Sequence, residues 1–211
     1  MEGLNRVRER IAAAAARAGR DVRQIKLIAV SKTQPIERLQ EAFAAGQRVF
    51  GENYAQEFRE KAGALDAEWH FIGALQSNKA KLVVGRAAFI HTCDRLSLAR
   101  EISKRADVPQ GVLIEVNAGR EPQKAGVLPE ETEALLEQVR ALPNLRCDGL
   151  MCIPPAAGDP RPHFRALREL AEKLKLPELS MGMSADFEAA IEEGATMVRV
   201  GTAIFGERPP K

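Results

Sequence analysis

Short apolar, β-rich runs alternate with helix-period segments along the whole chain, and this alternation restricts the fold more than any other feature. Strand runs are read at Lys26 to Ser31, Arg48 to Gly51, Trp69 to Gly73, Phe89 to Cys93, Val112 to Asn117, Cys147 to Ile153, Leu179 to Met181 and Met197 to Gly201. The segments between them carry the helical period, most clearly Thr132 to Leu142 and His163 to Leu174, where apolar residues recur every three or four positions. A stretch from Ile36 to Ala45 also reads as a helix, which Pro35 can open and Gly46 can close. An additional helix precedes the first strand, with Leu4, Val7, Ile11 and Ala15 on one face and Gly19 as its terminator. Several runs are continuously apolar, as parallel strands buried on both faces require. Eight strand–helix units in 211 residues predict a single-domain (β/α)8 barrel over residues 1–211 with an extra N-terminal helix. An open doubly wound sheet more often has five to seven strands.

Composition narrows the partners. Basic and acidic side chains number 31 and 29, interspersed along the chain for a net charge of +2, so a dedicated nucleic-acid surface is not expected. The longest apolar runs, such as Ile11 to Ala16, are far shorter than the roughly 20 residues of a membrane span. No secretory pattern opens the chain, and a soluble cytoplasmic protein is expected. A monomer is expected too, since no long exposed apolar stripe stands out. Cys93, Cys147 and Cys152 lack the spacing of a zinc or dithiol motif. His70, His91 and His163 stand singly, the first two inside strands, where hydrogen-bonded structural roles are expected over metal ligation. No dinucleotide fingerprint or P-loop is present, and Gly182 to Asp186 only approaches a nucleophile elbow.

In a barrel, chemistry gathers where strands end and loops begin. Lys32 follows the first strand, where partial desolvation would make its amine a Schiff-base nucleophile; the competing reading is a solvated lysine at a strand end. After the seventh strand, Ser180-Met-Gly-Met-Ser184-Ala-Asp186 offers Ser184 as a helix cap beside unpaired amides. After the eighth, Arg199-Val-Gly201-Thr202 includes a glycine that permits close backbone approach. Each of these loops alone reads as a cap or a turn; together they stand where barrels commonly hold a phosphate, and a phosphate site and a pair of structural turns are equal readings there. Asn53 and Tyr54, after the second strand, line the same mouth or merely cap and pack a helix start. The polar groups of Leu75 to Lys79 either face a ligand or satisfy their own turn.

The stretches Ala29-Val-Ser-Lys32-Thr, Phe50-Gly-Glu-Asn-Tyr54, His70-Phe-Ile-Gly-Ala-Leu-Gln-Ser-Asn-Lys79, Gly149-Leu-Met-Cys-Ile-Pro154, Met181-Gly-Met-Ser-Ala-Asp186 and Arg199-Val-Gly-Thr-Ala-Ile-Phe-Gly206 run from first strand to last. In these the chain resembles the pyridoxal-phosphate homeostasis protein family. The resemblance implies a barrel akin to the N-terminal domain of bacterial alanine racemase, with Lys32 holding pyridoxal 5′-phosphate as a Schiff base. It also implies that Ser184, Gly201 and Thr202 bind the phosphate, that Arg199 faces the pyridine nitrogen, and that Asn53 and Met151 lie near the ring. Cys152 stands where the family usually has threonine. The implied role is to bind, buffer and deliver the cofactor, possible recipients being the apoenzymes that depend on it.

Two enzymatic readings compete. One is an amino-acid racemase working through the same lysine; the other is a Schiff-base aldolase acting on a sugar phosphate. A racemase needs a base on each face of the substrate carbon, which the related racemases take from a tyrosine on a further C-terminal domain. With Tyr54 its only tyrosine and Lys211 soon after the eighth strand, the chain is expected to lack appreciable turnover.

Overall fold

The computed structural model describes residues 1–206, so the last five positions of the expected 1–211 domain lie outside the described residues. Eight parallel strands close into a barrel in chain order, β1 (Lys26–Val30), β2 (Val49–Glu52), β3 (Glu68–Phe71), β4 (Phe89–Cys93), β5 (Gln110–Glu115), β6 (Leu145–Met151), β7 (Glu178–Ser180) and β8 (Met197–Val200). Closure is made by β8 lying along β1, with Leu27 opposite Val198 and Ala29 opposite Val200. Strands β3, β5, β6 and β7 begin one or two residues before the apolar runs that announce them. Ladder bonds use only the backbone, so polar residues such as Gln110 and Arg146 join the sheet while the apolar runs continue into the mouth.

The outer layer follows the helical periods. It contains α1 (Glu2–Arg17), α2 (Ile36–Ala44), α3 (Ala55–Ala64), α4 (Leu96–Arg105), α5 (Thr132–Arg140), α6 (Arg161–Leu174), α7 (Phe187–Glu192) and α8 (Thr202–Phe205). Between β3 and β4 the crossover is a 3₁₀ segment, Ser77–Leu82, rather than an α-helix. Helix α1 buries Leu4, Val7, Ile11, Ala14 and Ala15, and it ends at Gly19, whose φ of 64° is the left-handed turn expected of a glycine terminator. Its outward arginines tie it to α7: Arg10 pairs with Glu188 and Arg17 with Glu192.

Two apolar cores result. The larger fills the space between barrel and helices, with Phe50, Phe58, Phe71, Phe164 and Phe187 fully buried. The smaller joins Ile28, Leu113, Met151 and Met197 from β1, β5, β6 and β8. Only the barrel interior can bring those four strands together, so these residues form a packed layer inside it. Polar side chains share the interior, with His70, His91, Ser180 and Arg199 buried.

Candidate functional site

The C-terminal ends of the strands surround a cavity of about 300 Å³. Lys32, Asn53, Ser184, Arg199, Gly201 and Thr202 all line it, joined by Val30, Gln34, Ile72, Ile153 and Met183. Residues about 170 positions apart in sequence thus meet because β8 lies against β1. Met151 departs from its expected place beside the ligand. It is wholly buried in the interior layer with Ile28, Leu113 and Met197 and does not line the cavity, because its position on β6 is that of a packing residue.

Lys32 sits on a tightly held turn. The next residue, Thr33, has φ of 62°, a conformation that a β-branched side chain resists. The turn is held from α3. Lys61 Nζ donates to the Ser31 carbonyl at 2.7 Å, and the Thr33 amide donates to Glu57 Oε2 at 2.9 Å, so the peptide groups on both sides of Lys32 are pinned. Lys61 also pairs with Glu57 at 2.8 Å and with the fully buried Glu52 at 2.6 Å. Glu52 in turn accepts from the Asn53 amide at 2.8 Å, which ties the second strand's end to the same clamp. Burial pushes the Glu52 carboxyl up, opposed by Lys61. Burial also acts to raise Glu57, but the hydrogen bonds from Lys61 and the Thr33 amide outweigh it and hold Glu57 below its ordinary value. Sequence reasoning missed this clamp, since a glutamate and a lysine four residues apart on a helix ordinarily mark a solvated face.

Opposite, the loops after β7 and β8 touch. Gly182, with φ of 91°, lets the chain turn so that Ser184 Oγ accepts from the Gly201 amide at 3.4 Å. Any Cβ at Gly182 would lie 2.5 Å from that of Ala190. Asp186, rather than the expected Ser184, occupies the cap position of α7 and accepts from the Met183 amide at 2.6 Å. Ser184 therefore keeps its hydroxyl at the cavity wall. Thr202 begins α8 at the same wall.

Arg199 rises from the barrel interior, 4% exposed. It donates to Ser180 Oγ at 2.6 Å and to the Cys152 carbonyl at 3.0 Å, and burial lowers its pKa. A second cavity, of about 250 Å³, shares Asn53, Ile72 and Ile153 with the first and is lined by Thr92, Lys124 and Glu115. Glu115 is buried, and its carboxyl is pushed up to about 7, chiefly by desolvation and then by Asp94, with Arg199 opposing. Tyr54 is half exposed at the start of α3 and lines neither cavity. His163 bonds the Ala118 carbonyl from α6. The thiols are unreactive by environment, burial raising Cys93 and Cys152 to about 12 and Cys147 to about 11.

These residues suit an anionic, planar, hydrogen-bonding ligand. A lysine amine, a buried arginine and a corner of hydroxyl and amide donors surround the cavity, and Asn53 Oδ1 is buried there with no hydrogen-bond partner among the described residues.

Comparison with known proteins agrees with the barrel and identifies its class. Residues 3–209 match the family described as alanine racemase, N-terminal domain. A pyridoxal phosphate homeostasis protein from Aquifex aeolicus is 52% identical over 98% of this chain and 97% of its own length. The protein of that name from Escherichia coli K12 is 45% identical, covering 97% and 95%. Among solved structures, PipY of Synechococcus elongatus with pyridoxal phosphate bound superposes with a TM-score of 0.82 at 37% identity, over 95% of this chain and all of that one. Alanine racemase from Corynebacterium glutamicum, at 21% identity and a TM-score of 0.72 over 62% of its length, shares the fold. The chain belongs to the pyridoxal phosphate homeostasis protein family, within the class defined by the alanine racemase N-terminal barrel.

Proposed function

We propose that this chain binds pyridoxal 5′-phosphate in the mouth cavity through Lys32 and serves as a carrier and buffer of the cofactor, without appreciable turnover. The observation that carries the reading is the enclosure of one cavity by Lys32 on β1's loop, Arg199 on β8, and the joined loops of Ser184 and Gly201–Thr202. PipY, which binds this cofactor, supports it by shared fold and sequence. When bound, the cofactor supplies an electrophilic carbon that a lysine amine captures reversibly.

Each residue then has a task. Lys32, fixed by the α3 clamp, presents its amine. Ser184 Oγ, Thr202 Oγ1 and the amides of Gly201 and Thr202 would hold the phosphate. Asn53 would offer an acceptor beside the ring. Arg199, a donor without lone pairs, would face the pyridine nitrogen and disfavour a proton there. A ring so held would be a weak electron sink, which suits storage better than carbanion chemistry. The second base of a racemase is not supplied by Tyr54, which stays outside both cavities.

We extend the reading to a cytoplasmic monomer that yields cofactor to dependent apoenzymes; no helix among the described residues is long and apolar enough to cross a membrane. The test is to load the protein and follow its colour, then incubate it with D- or L-alanine and resolve the enantiomers. A yellow protein racemising more slowly than about once per second supports the carrier, and faster turnover would make it an enzyme. A protein that stays colourless would favour the aldolase.

A further inference from the structure

Across the barrel interior runs an unbroken file of hydrogen bonds. Arg199 Nη1 meets Ser180 Oγ at 2.6 Å, Ser180 Oγ meets His91 Nδ1 at 2.8 Å, and His91 Nε2 meets His70 Nδ1 at 2.7 Å. His70 Nε2 meets Glu68 Oε1 at 2.8 Å, and Lys26 Nζ closes the file on the same carboxylate oxygen at 2.6 Å. The bond between His91 and Ser180 joins β4 to β7, which are not neighbours in the sheet, so the file crosses the lumen. It links the start of β3, at the foot of the barrel, to the arginine at its mouth.

We propose that Glu68, His70, His91 and Ser180 form a one-way relay that positions Arg199 as a fixed donor toward the cofactor ring. The proposal rests on the reading in which that ring occupies the mouth cavity.

The direction follows from the two ends. Arginine has no lone pair, so Ser180 must accept from it. Glu68 faces both His70 and Lys26, which hold its carboxyl down at about 2, so it is ionised and must accept from His70. His70 therefore carries its hydrogen on Nε2, leaving Nδ1 bare. His91 must then donate from Nε2, which leaves its own Nδ1 to accept from the Ser180 hydroxyl. One arrangement gives every contact one proton, and in it both imidazoles are neutral. Burial favours that state: desolvation lowers both histidines, opposed at His70 by Glu68 and reinforced at His91 by His70 and Arg199. A proton added at His70 Nδ1 would point at the His91 N–H. Reversal would set the His70 lone pair against the Glu68 carboxylate. Ser180 is thus kept from donating to anything but His91, and Arg199 has a single orientation.

A pair of histidines that merely filled the core would not require one tautomer or touch the ring electronically. Two arms separate the readings. In cofactor-free protein labelled with ¹⁵N-histidine, NMR should find His70 and His91 neutral at pH 7, each protonated on Nε2. A proton on either Nδ1, or a charged ring, would overturn the relay. In protein loaded with pyridoxal phosphate carrying ¹⁵N in its ring, His91→Leu should move the ring-nitrogen signal and speed cofactor release about tenfold, the low end for one hydrogen bond to a charged group. Glu68→Gln, which changes neither volume nor packing and keeps the protein folded should His91→Leu fail to fold, should also move the signal and mix the His70 tautomers. Leu113→Met, in the interior layer but outside the file, should leave signal and release unchanged. A ring signal unmoved by Glu68→Gln and by any folded His91→Leu protein, or moved equally by Leu113→Met, would reduce the file to core packing. Failure of the unaltered protein to take up cofactor would overturn the cofactor reading and the relay's role, while the tautomers would still be measured on the cofactor-free protein.

Discussion

The two walls of the mouth cavity are supported by buried polar networks of opposite kinds. Behind Lys32 stands a cluster of ion-pairing side chains, Glu52, Glu57 and Lys61, packed between β2 and α3. Behind Arg199 stand neutral groups, Ser180, His91 and His70, and the buried carboxyl of Glu115, whose charge acts on Arg199, is raised to about 7 and so is only partly ionised at neutral pH. One small cavity thus sets its two basic side chains in two ways. The clamp binds the backbone on both sides of Lys32, whereas the file binds the Arg199 guanidinium itself.

The largest expected effect is at the reacting end. Lys32→Ala should abolish the yellow colour of loaded protein without lowering its thermal midpoint, since the residue lies on a loop and not in the packed layers; spectra and a melting curve check both. The clamp comes next. Lys61→Met strands the fully buried Glu52 carboxylate, and denaturant unfolding should show a loss of about 3–5 kcal/mol near neutral pH. Without its partner, Glu52 has a folded pKa well above its unfolded one, so the folded form binds more protons and the variant should regain stability as pH falls.

At the other wall the sign is tested by Glu115. Its folded pKa of about 7 exceeds the ordinary value of 4.5, so its ionisation costs stability progressively as pH rises from about 4.5 through 7. In cofactor-free protein, Glu115→Gln should remove that slope and be more stable above pH 7 by up to about 3 kcal/mol. A variant no more stable than the parent there would put a fixed anion beside Arg199 and break the contrast between the walls. The smallest effects belong to the phosphate corner. Ser184→Ala and Thr202→Val should each speed cofactor release about tenfold to a hundredfold, at about 1.5 to 3 kcal/mol per hydrogen bond to a charged group, with colour retained. Unchanged release in both would move the phosphate elsewhere.

The strands were legible because buried parallel strands must be apolar, and the site because barrels place chemistry just after them. Lys32, Asn53, Ser184, Arg199, Gly201 and Thr202 were all singled out by that rule, and all six line the mouth cavity. Met151 was not separable from them, because the last residue of a strand packs or lines the mouth according to barrel stagger, which no local pattern records. Glu57 and Lys61 stayed hidden since charged residues at helical spacing normally face water, and Glu52, a lone carboxylate at a strand end, is ordinarily exposed as well. His70 and His91 were rightly read as hydrogen-bonded residues, but their meeting was not. The only trace was their position, 21 residues apart on successive strands that pair side by side.

Lys32 is the residue proposed to take the cofactor. Loaded protein reduced with borohydride, digested and mapped by mass spectrometry should carry the pyridoxyl-phosphate mass on the peptide containing Lys32. The same mass on another lysine, such as Lys61, Lys79 or Lys124, with Lys32 unmodified, would contradict it.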